Sequence, residues 1–154
     1  MIRKDLVFVK QPIKTRAAAI AFIANAAEKA GLLKNKHEFT EVVFRREKEI
    51  STSIGHGIAI PHGKTDAVQD AFVSYVGVEK AFEWDTDTKD RVEAVFLIGV
   101  PEKNTDTLHL KVISEVSKKL INDEFRRKLF ACQTGQEAFV LLDAINQGLK
   151  KDKE

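Results

Sequence analysis

The run Val92-Glu93-Ala94-Val95-Phe96-Leu97-Ile98-Gly99-Val100 is the most apolar stretch of the chain, and Pro101 stops it. A run of this kind is far short of the roughly 20 apolar residues that span a bilayer. It suits a strand buried on both faces at the centre of a sheet, which needs other elements packed above and below it. The remaining segments supply them. Asp5–Lys10 carries Leu6, Val7, Phe8 and Val9 and reads as a first strand, and Phe72–Val78 as another. Thr15 is placed to cap an alanine-rich helix over about Arg16–Ala30, which Gly31 ends. Thr40 is expected to cap a shorter helix from Glu41 to about Ile50. Glu83-Trp84-Asp85 and the polar run to Asp90 read as a hairpin-like or longer loop.

After Pro101 three helical segments are expected. The first starts at a cap on Thr105 or Asp106 and ends near Ile121; the second runs over Glu124–Ala131 behind Asp123. The last opens on the capping box Thr134-Gly135-Gln136-Glu137. Strands and helices are interleaved, so the fold class is α/β: a single domain with a mixed β-sheet flanked by helices on both sides. Residues 1–148 form that domain and 149–154 a charged tail.

Composition narrows the setting. With 154 residues, 44% hydrophobic and 31% charged, the chain has the make-up of one globular domain. A net charge of +2 does not by itself call for nucleic acid or a membrane surface. The lone cysteine, Cys132, allows no internal disulfide, and the start lacks a secretory pattern, so a cytoplasmic setting is expected.

Chemistry concentrates where Ser51-Thr52-Ser53-Ile54-Gly55-His56-Gly57-Ile58-Ala59-Ile60-Pro61-His62-Gly63-Lys64 sets glycines around a short apolar strand and ends it at His62. Such a strand carries an imidazole to the rim of a sheet. Just upstream, Glu41, Arg45 and Glu49 form a solvated stripe at i,i+4 spacing. Phe39, Val42, Val43, Arg46 and Ile50 fall on the other side of the expected helix. Arg46 is therefore turned towards the core side, where a guanidinium needs an anion or carbonyls. His109 falls inward, with Val112, Ile113, Val116 and Leu120, in the first turn of its helix, where backbone N–H groups favour negative charge.

Arg46, His62 and His109 together would suit a phosphoryl group. A neutral imidazole offers one nitrogen as nucleophile if the other is held by a carbonyl or carboxylate. Each residue also has a plainer reading. His62 and His109 could be hydrogen-bonded structural histidines, and Arg46 could snorkel or pair with a carboxylate. Glu47 supports the site or is a solvated helix charge. His37 reads as part of a polar loop and His56 as facing solvent or a partner. A metal site from His56, His62 and His109 or Asp66 lacks the spacing of common zinc motifs.

Thr52–Gly63 resembles the signature of the type 2 (fructose/mannitol-type) enzyme IIA domains of the bacterial sugar phosphotransferase system. Arg46-Glu47, Val95–Ile98 with Val100-Pro101-Glu102, Leu108-His109-Leu110 and Phe125-Arg126 look like further blocks of that family. His62–Val68 and Glu83-Trp84-Asp85 are similar to its fructose-type branch; Ser53 departs from a frequent glycine. The resemblance implies that His62 takes a phosphoryl group from the phosphocarrier HPr and passes it to a IIB domain. Arg46 and His109 would contact the phosphohistidine, with Glu47, Thr52 and Gly63 in support. It implies neither metal nor cofactor, and neither nucleic acid nor membrane insertion. Glycines such as Gly63 read as clearance for a partner's histidine. The nitrogen-type relatives, which control a target protein instead of feeding sugar uptake, are the alternative. The sugar, the IIB partner and the oligomeric state are not legible in the chain.

Overall fold

A computed structural model of the protein describes residues 1–103 and 107–151, apart from the side chains of residues 108, 109 and 151. Its elements are β1 (Ile2–Gln11), α1 (Arg16–Lys29), α2 (Lys36–Glu49), β2 (Ser53–Gly55), β3 (Ile58–Ala59) and β4 (His62–Lys64). Then follow β5 (Phe72–Glu83), β6 (Arg91–Val100), α3 (Leu108–Leu120), α4 (Asp123–Phe130) and α5 (Gly135–Lys151).

The strands form one six-stranded sheet in the order β1-β5-β6-β3-β2, with β4 also on β6. Pairing is mixed: β1 with β5 and β3 and β4 with β6 are parallel, while β5 with β6 and β2 with β3 are antiparallel. The run that opens the sequence reading is thus paired along both edges. Its side chains alternate as a two-sided strand requires. Val95 and Leu97 join a core with Ile20 and Ile23 of α1 and Phe39 and Val43 of α2. Phe96, Ile98 and Val100 join a second core with Val112 and Val116 of α3, Leu129 of α4 and Leu142 and Ile145 of α5. The expected mixed sheet between helices is the observed architecture.

Helix starts differ from expectation in instructive ways. Thr15 caps α1 as read, its Oγ1 accepting from Ala18 N at 3.0 Å, and Gly31 follows the helix at φ 78°. By contrast α2 begins at Lys36, not Glu41. Asn35 Oδ1 accepts from Glu38 N at 3.0 Å, while the Thr40 hydroxyl donates to the carbonyl of His37 from inside the helix. The first turn of α2 is polar because it is exposed, and polarity alone reads as loop. His37 accordingly lies in α2, with Nε2 3.1 Å from Glu41 Oε1. Ile50, expected on the apolar face, flanks the end of α2 and is 71% exposed.

Asn122, not Asp123, caps α4, accepting from Phe125 N at 2.9 Å. Thr134 caps α5 as read, its Oγ1 accepting from Glu137 N at 3.2 Å, but the Glu137 carboxylate reaches back one residue further than a capping box requires, accepting from Gln133 N at 3.1 Å. Thr107 flanks the start of α3, and the expected caps Thr105 and Asp106 lie outside the described residues. β5 continues to Glu83, past the expected end at Val78. α5 runs across residue 149, and Leu149 is buried in the second core.

The chain after Pro61 goes further than expected: the strand does not end at His62, and His62–Lys64 forms β4. Ile58↔Ala94, Ala59↔Val95, His62↔Ile98, Gly63↔Gly99 and Lys64↔Val100 keep one register, and Ile98 N donates to Pro61 O at 3.0 Å. β3 and β4 therefore continue each other along β6, interrupted where proline has no N–H to give.

This placement corrects the reading of Gly63. It is buried, and a Cβ there would stand 3.0 Å from Val43 Cγ2, 3.3 Å from Phe39 Cε1 and 3.4 Å from Val42 Cγ1. The missing side chain makes room for α2, not for an incoming partner. Gly63→Val should lower the unfolding free energy by about 1–3 kcal/mol, as overpacked cores do. Urea denaturation would measure this, and a variant as stable as the parent would refute the packing role.

Candidate functional site

The site grows out of the segment between α2 and β4. β2 and β3 are joined at His56 and Gly57, whose φ values of 57° and 79° are both positive, as a two-residue type I′ hairpin turn requires. Gly55 precedes them at φ 81°. Gly55 and Gly57 are thus turn glycines, and they leave His56 exposed at the hairpin tip. Gly57 also holds the hairpin to the sheet, its carbonyl accepting from Glu93 N at 2.8 Å and Ala94 N at 3.0 Å.

Two residues past the buried Ile60, His62 is half-buried at the sheet rim. Strand alternation sets its direction. Gly63 faces α2, so His62 shares its face with Ile58 and Ile60, which pack in the α3–α5 core. His62 Nδ1 is 3.0 Å from the carbonyl oxygen of Ile60. A carbonyl only accepts, so Nδ1 carries the proton in this contact, and in the neutral ring the lone pair lies on Nε2. This is the arrangement that a nucleophilic imidazole needs.

His109 occupies the first turn of α3, as read from the sequence, on the layer that covers the His62 face; its side chain lies outside the described residues. Arg46 is half-buried near the end of α2, on the layer covering the opposite face. Its Nη1 donates to the carbonyl of Ile50 at 2.8 Å, satisfying a carbonyl at the C-terminal end of the helix. The guanidinium therefore has the carbonyl partner that its position demands.

Glu47 is the residue that the sequence leaves most open. It is buried, on a line with Phe39 and Val43 that forms the inner stripe of α2. It is not a solvated charge. Its carboxylate accepts from Thr52 N at 3.3 Å, from the Thr52 hydroxyl and from Trp84 Nε1 at 3.2 Å, and Arg16 Nη1 stands 3.7 Å away. A buried carboxylate with donors from three separate elements is well satisfied. The signal was present in the i,i+4,i+8 spacing of Phe39, Val43 and Glu47, but a charge on an apolar stripe is naturally assigned to the solvent side.

The β5–β6 loop contributes more than sequence reasoning foresees. Besides Trp84 on Glu47, Ser51 Oγ donates to Asp85 Oδ2 at 2.6 Å and Ser53 Oγ to Asp90 Oδ2 at 2.8 Å. These bonds tie the start of the glycine-rich stretch to the loop. Burial pushes the Asp85 carboxyl up, but hydrogen bonds from the Ser51 hydroxyl, the Thr88 amide and hydroxyl and the Asp87 amide outweigh it and hold Asp85 below the ordinary carboxylate range. A depressed folded-state pKa stabilises the fold above the unfolded value. That contribution disappears as pH falls through the folded one. The Ser51–Asp85 tether should therefore hold at neutral pH and loosen only below about pH 4. Asp85→Asn should flatten the acid limb of the stability curve; an unchanged limb would remove Asp85 from this account.

Among the described residues, no three His, Cys, Asp or Glu side chains stand close enough together to hold a metal ion, and no helix is long and apolar enough to cross a membrane.

Comparison with known proteins bears on the fold and the family of the chain. Over 143 residues, 93% of its length, the chain is 31% identical to a multiphosphoryl transfer protein of Shigella flexneri, but spans only 17% of that relative. It is 30% identical over 132 residues to the PTS system fructose-specific EIIA component of Haloferax volcanii, covering 86% of this chain and 85% of that one. Among solved structures, the nitrogen regulatory protein IIA-Ntr of Neisseria meningitidis superposes with a TM-score of 0.82 at 23% identity, over 92% of this chain and 95% of that one. The IIA mannitol enzyme of Escherichia coli, solved in complex with phosphorylated IIB mannitol enzyme, superposes with a TM-score of 0.79 at 21% identity, over 94% and 99%. At these identities the structural likenesses establish the fold. Residues 1–145 match the family described as "Phosphoenolpyruvate-dependent sugar phosphotransferase system, EIIA 2", and the chain belongs to that family.

Proposed function

We propose that this chain relays a phosphoryl group on His62, taking it from phosphorylated HPr and passing it to the IIB domain of a fructose-type sugar transporter. The observation that carries the reading is the Nδ1 contact of His62 with the Ile60 carbonyl, at the rim of the sheet and inside the family signature. Nε2 attacks the phosphorus of the donor phosphohistidine. The P–N bond of the donor breaks as the new one forms, and the bonding pair returns to the donor imidazole. His62 keeps its Nδ1 proton throughout, and the Ile60 carbonyl steadies the positive charge that the ring gains.

The transferring group spreads its charge over three oxygens, and donors aimed at it lower the barrier. In this reading Arg46 from one layer, and His109 with the first turn of α3 from the other, supply those donors. Thr52 and Glu47 hold the strand that carries His62. The relay takes place in the cytoplasm and involves neither insertion into the membrane nor nucleic acid. Fructose-specific and fructose-like EIIA components of Haloferax volcanii and Escherichia coli, each matched over more than four-fifths of its length, favour a transport role over a regulatory one.

Incubation with phosphoenolpyruvate, enzyme I and HPr should place one acid-labile, base-stable phosphoryl group on the protein, and His62→Ala should abolish it. Label retained by that variant would move the nucleophile elsewhere. Transfer from the labelled protein to a panel of IIB domains tests the transport reading, which fails if none accepts.

A further inference from the structure

Thr52 and Ile60 stand directly opposite each other where β2 and β3 run antiparallel, one step beyond the pair Ser53↔Ala59. Opposite residues at a hydrogen-bonded position exchange two bonds, each N–H to the other's carbonyl. Here only one of the two is made: Ile60 N donates to Thr52 O at 3.0 Å. The amide of Thr52 turns instead to Glu47 Oε2 at 3.3 Å. The Ile60 carbonyl, relieved of its ladder partner, accepts from His62 Nδ1 at 3.0 Å. Pro61 assists, because the residue before a proline is kept in the extended region, which fixes where the Ile60 carbonyl points.

We infer that Glu47 is a positioning residue: it withdraws the Thr52 amide from the sheet ladder and so reserves the Ile60 carbonyl for the imidazole of His62. The inference rests on His62 being the nucleophile only for its consequence, since the tautomer itself can be measured without any transfer. Glu47 suits this task because its other contacts hold it still. Trp84 Nε1, the Thr52 hydroxyl and Arg16 fix the carboxylate from the β5–β6 loop, the glycine-rich segment and α1. It touches no reacting atom. It acts through two backbone groups on the protonation pattern of the ring.

Without an acceptor at residue 47, the Thr52 amide returns to the Ile60 carbonyl and competes with Nδ1–H. The ring then populates the other tautomer, in which Nε2 carries the proton and cannot attack. Partners that fix the tautomer of metal-bound histidines cost about 10–100-fold in activity when lost, and that sets the scale expected here.

The test has two arms, both by NMR. In the unmodified protein, coupling across hydrogen bonds should connect the Ile60 amide nitrogen to the Thr52 carbonyl carbon but not the Thr52 nitrogen to the Ile60 carbonyl. A coupling in the second direction would overturn the inference, and this arm needs no variant to fold. In the second arm, ring nitrogen shifts report the His62 tautomer. Glu47→Ala should move His62 from Nδ1–H towards Nε2–H and slow phosphorylation by HPr at least tenfold, whereas Glu47→Gln, which keeps an acceptor, should preserve the parent tautomer. A folded Glu47→Ala protein with the parent tautomer would also overturn it. If the tautomer responds as expected but His62 never accepts phosphate, the positioning role stands and the relay reading fails.

Discussion

The parallel pairing of Ile58–Lys64 with Ala94–Val100 is the constraint on which the rest depends. It runs in one register through Pro61, so the strand emerges from the core with its alternation intact. Ile58 and Ile60 anchor that strand in the α3–α5 core, and Gly63 lies flat under α2. Between them His62 is fixed in direction by neighbours that are themselves buried on both sides of the sheet. A shift of one residue would turn His62 towards α2 and move the isoleucines out of the α3–α5 core to the α1–α2 side, so core packing and the placement of His62 are enforced by the same register.

A second constraint works at right angles to the first. The first part of the glycine-rich stretch, residues 51–57, has little side-chain mass and, in β2, only three residues to pair, so packing alone does not hold it. Polar contacts do so instead: Glu47 from α2, and Trp84, Asp85 and Asp90 from the β5–β6 loop. Buried charge is costly unless every lone pair is used, and here the carboxylate of Glu47 collects donors from three elements. The arrangement lets flexible residues keep the turns they need at Gly55, His56 and Gly57 while the segment that leads into His62 stays fixed.

The α/β class, the central position of Val92–Val100 and the capping residues Thr15 of α1 and Thr134 of α5 were all legible, because they follow from local pattern. Chain-local signals failed where two equivalent residues compete, as at Asn35 against Thr40 and Asn122 against Asp123; neighbours in space choose between them. They failed again at Gly63. A glycine beside a histidine in a loop-like stretch invites a functional explanation, whereas its Cβ space belongs to Val43 and Phe39, which lie some twenty residues earlier in the chain.

For the site itself, the sequence alone singled out the proposed reacting group: an imidazole at the end of a buried strand, after a proline and among glycines, inside a stretch that resembles the family signature. The expected helix start also placed His109 in the first turn of its helix. Only the tertiary structure decided which nitrogen of His62 holds the proton, because the deciding partner is a backbone carbonyl whose availability depends on pairing. It likewise decided that Glu47 is the buried charge and that Arg46 serves the end of α2. Helical phase divides residues into faces, but which part of a face is covered depends on the sheet and loops that pack against it, and those are brought there by residues far away in the chain.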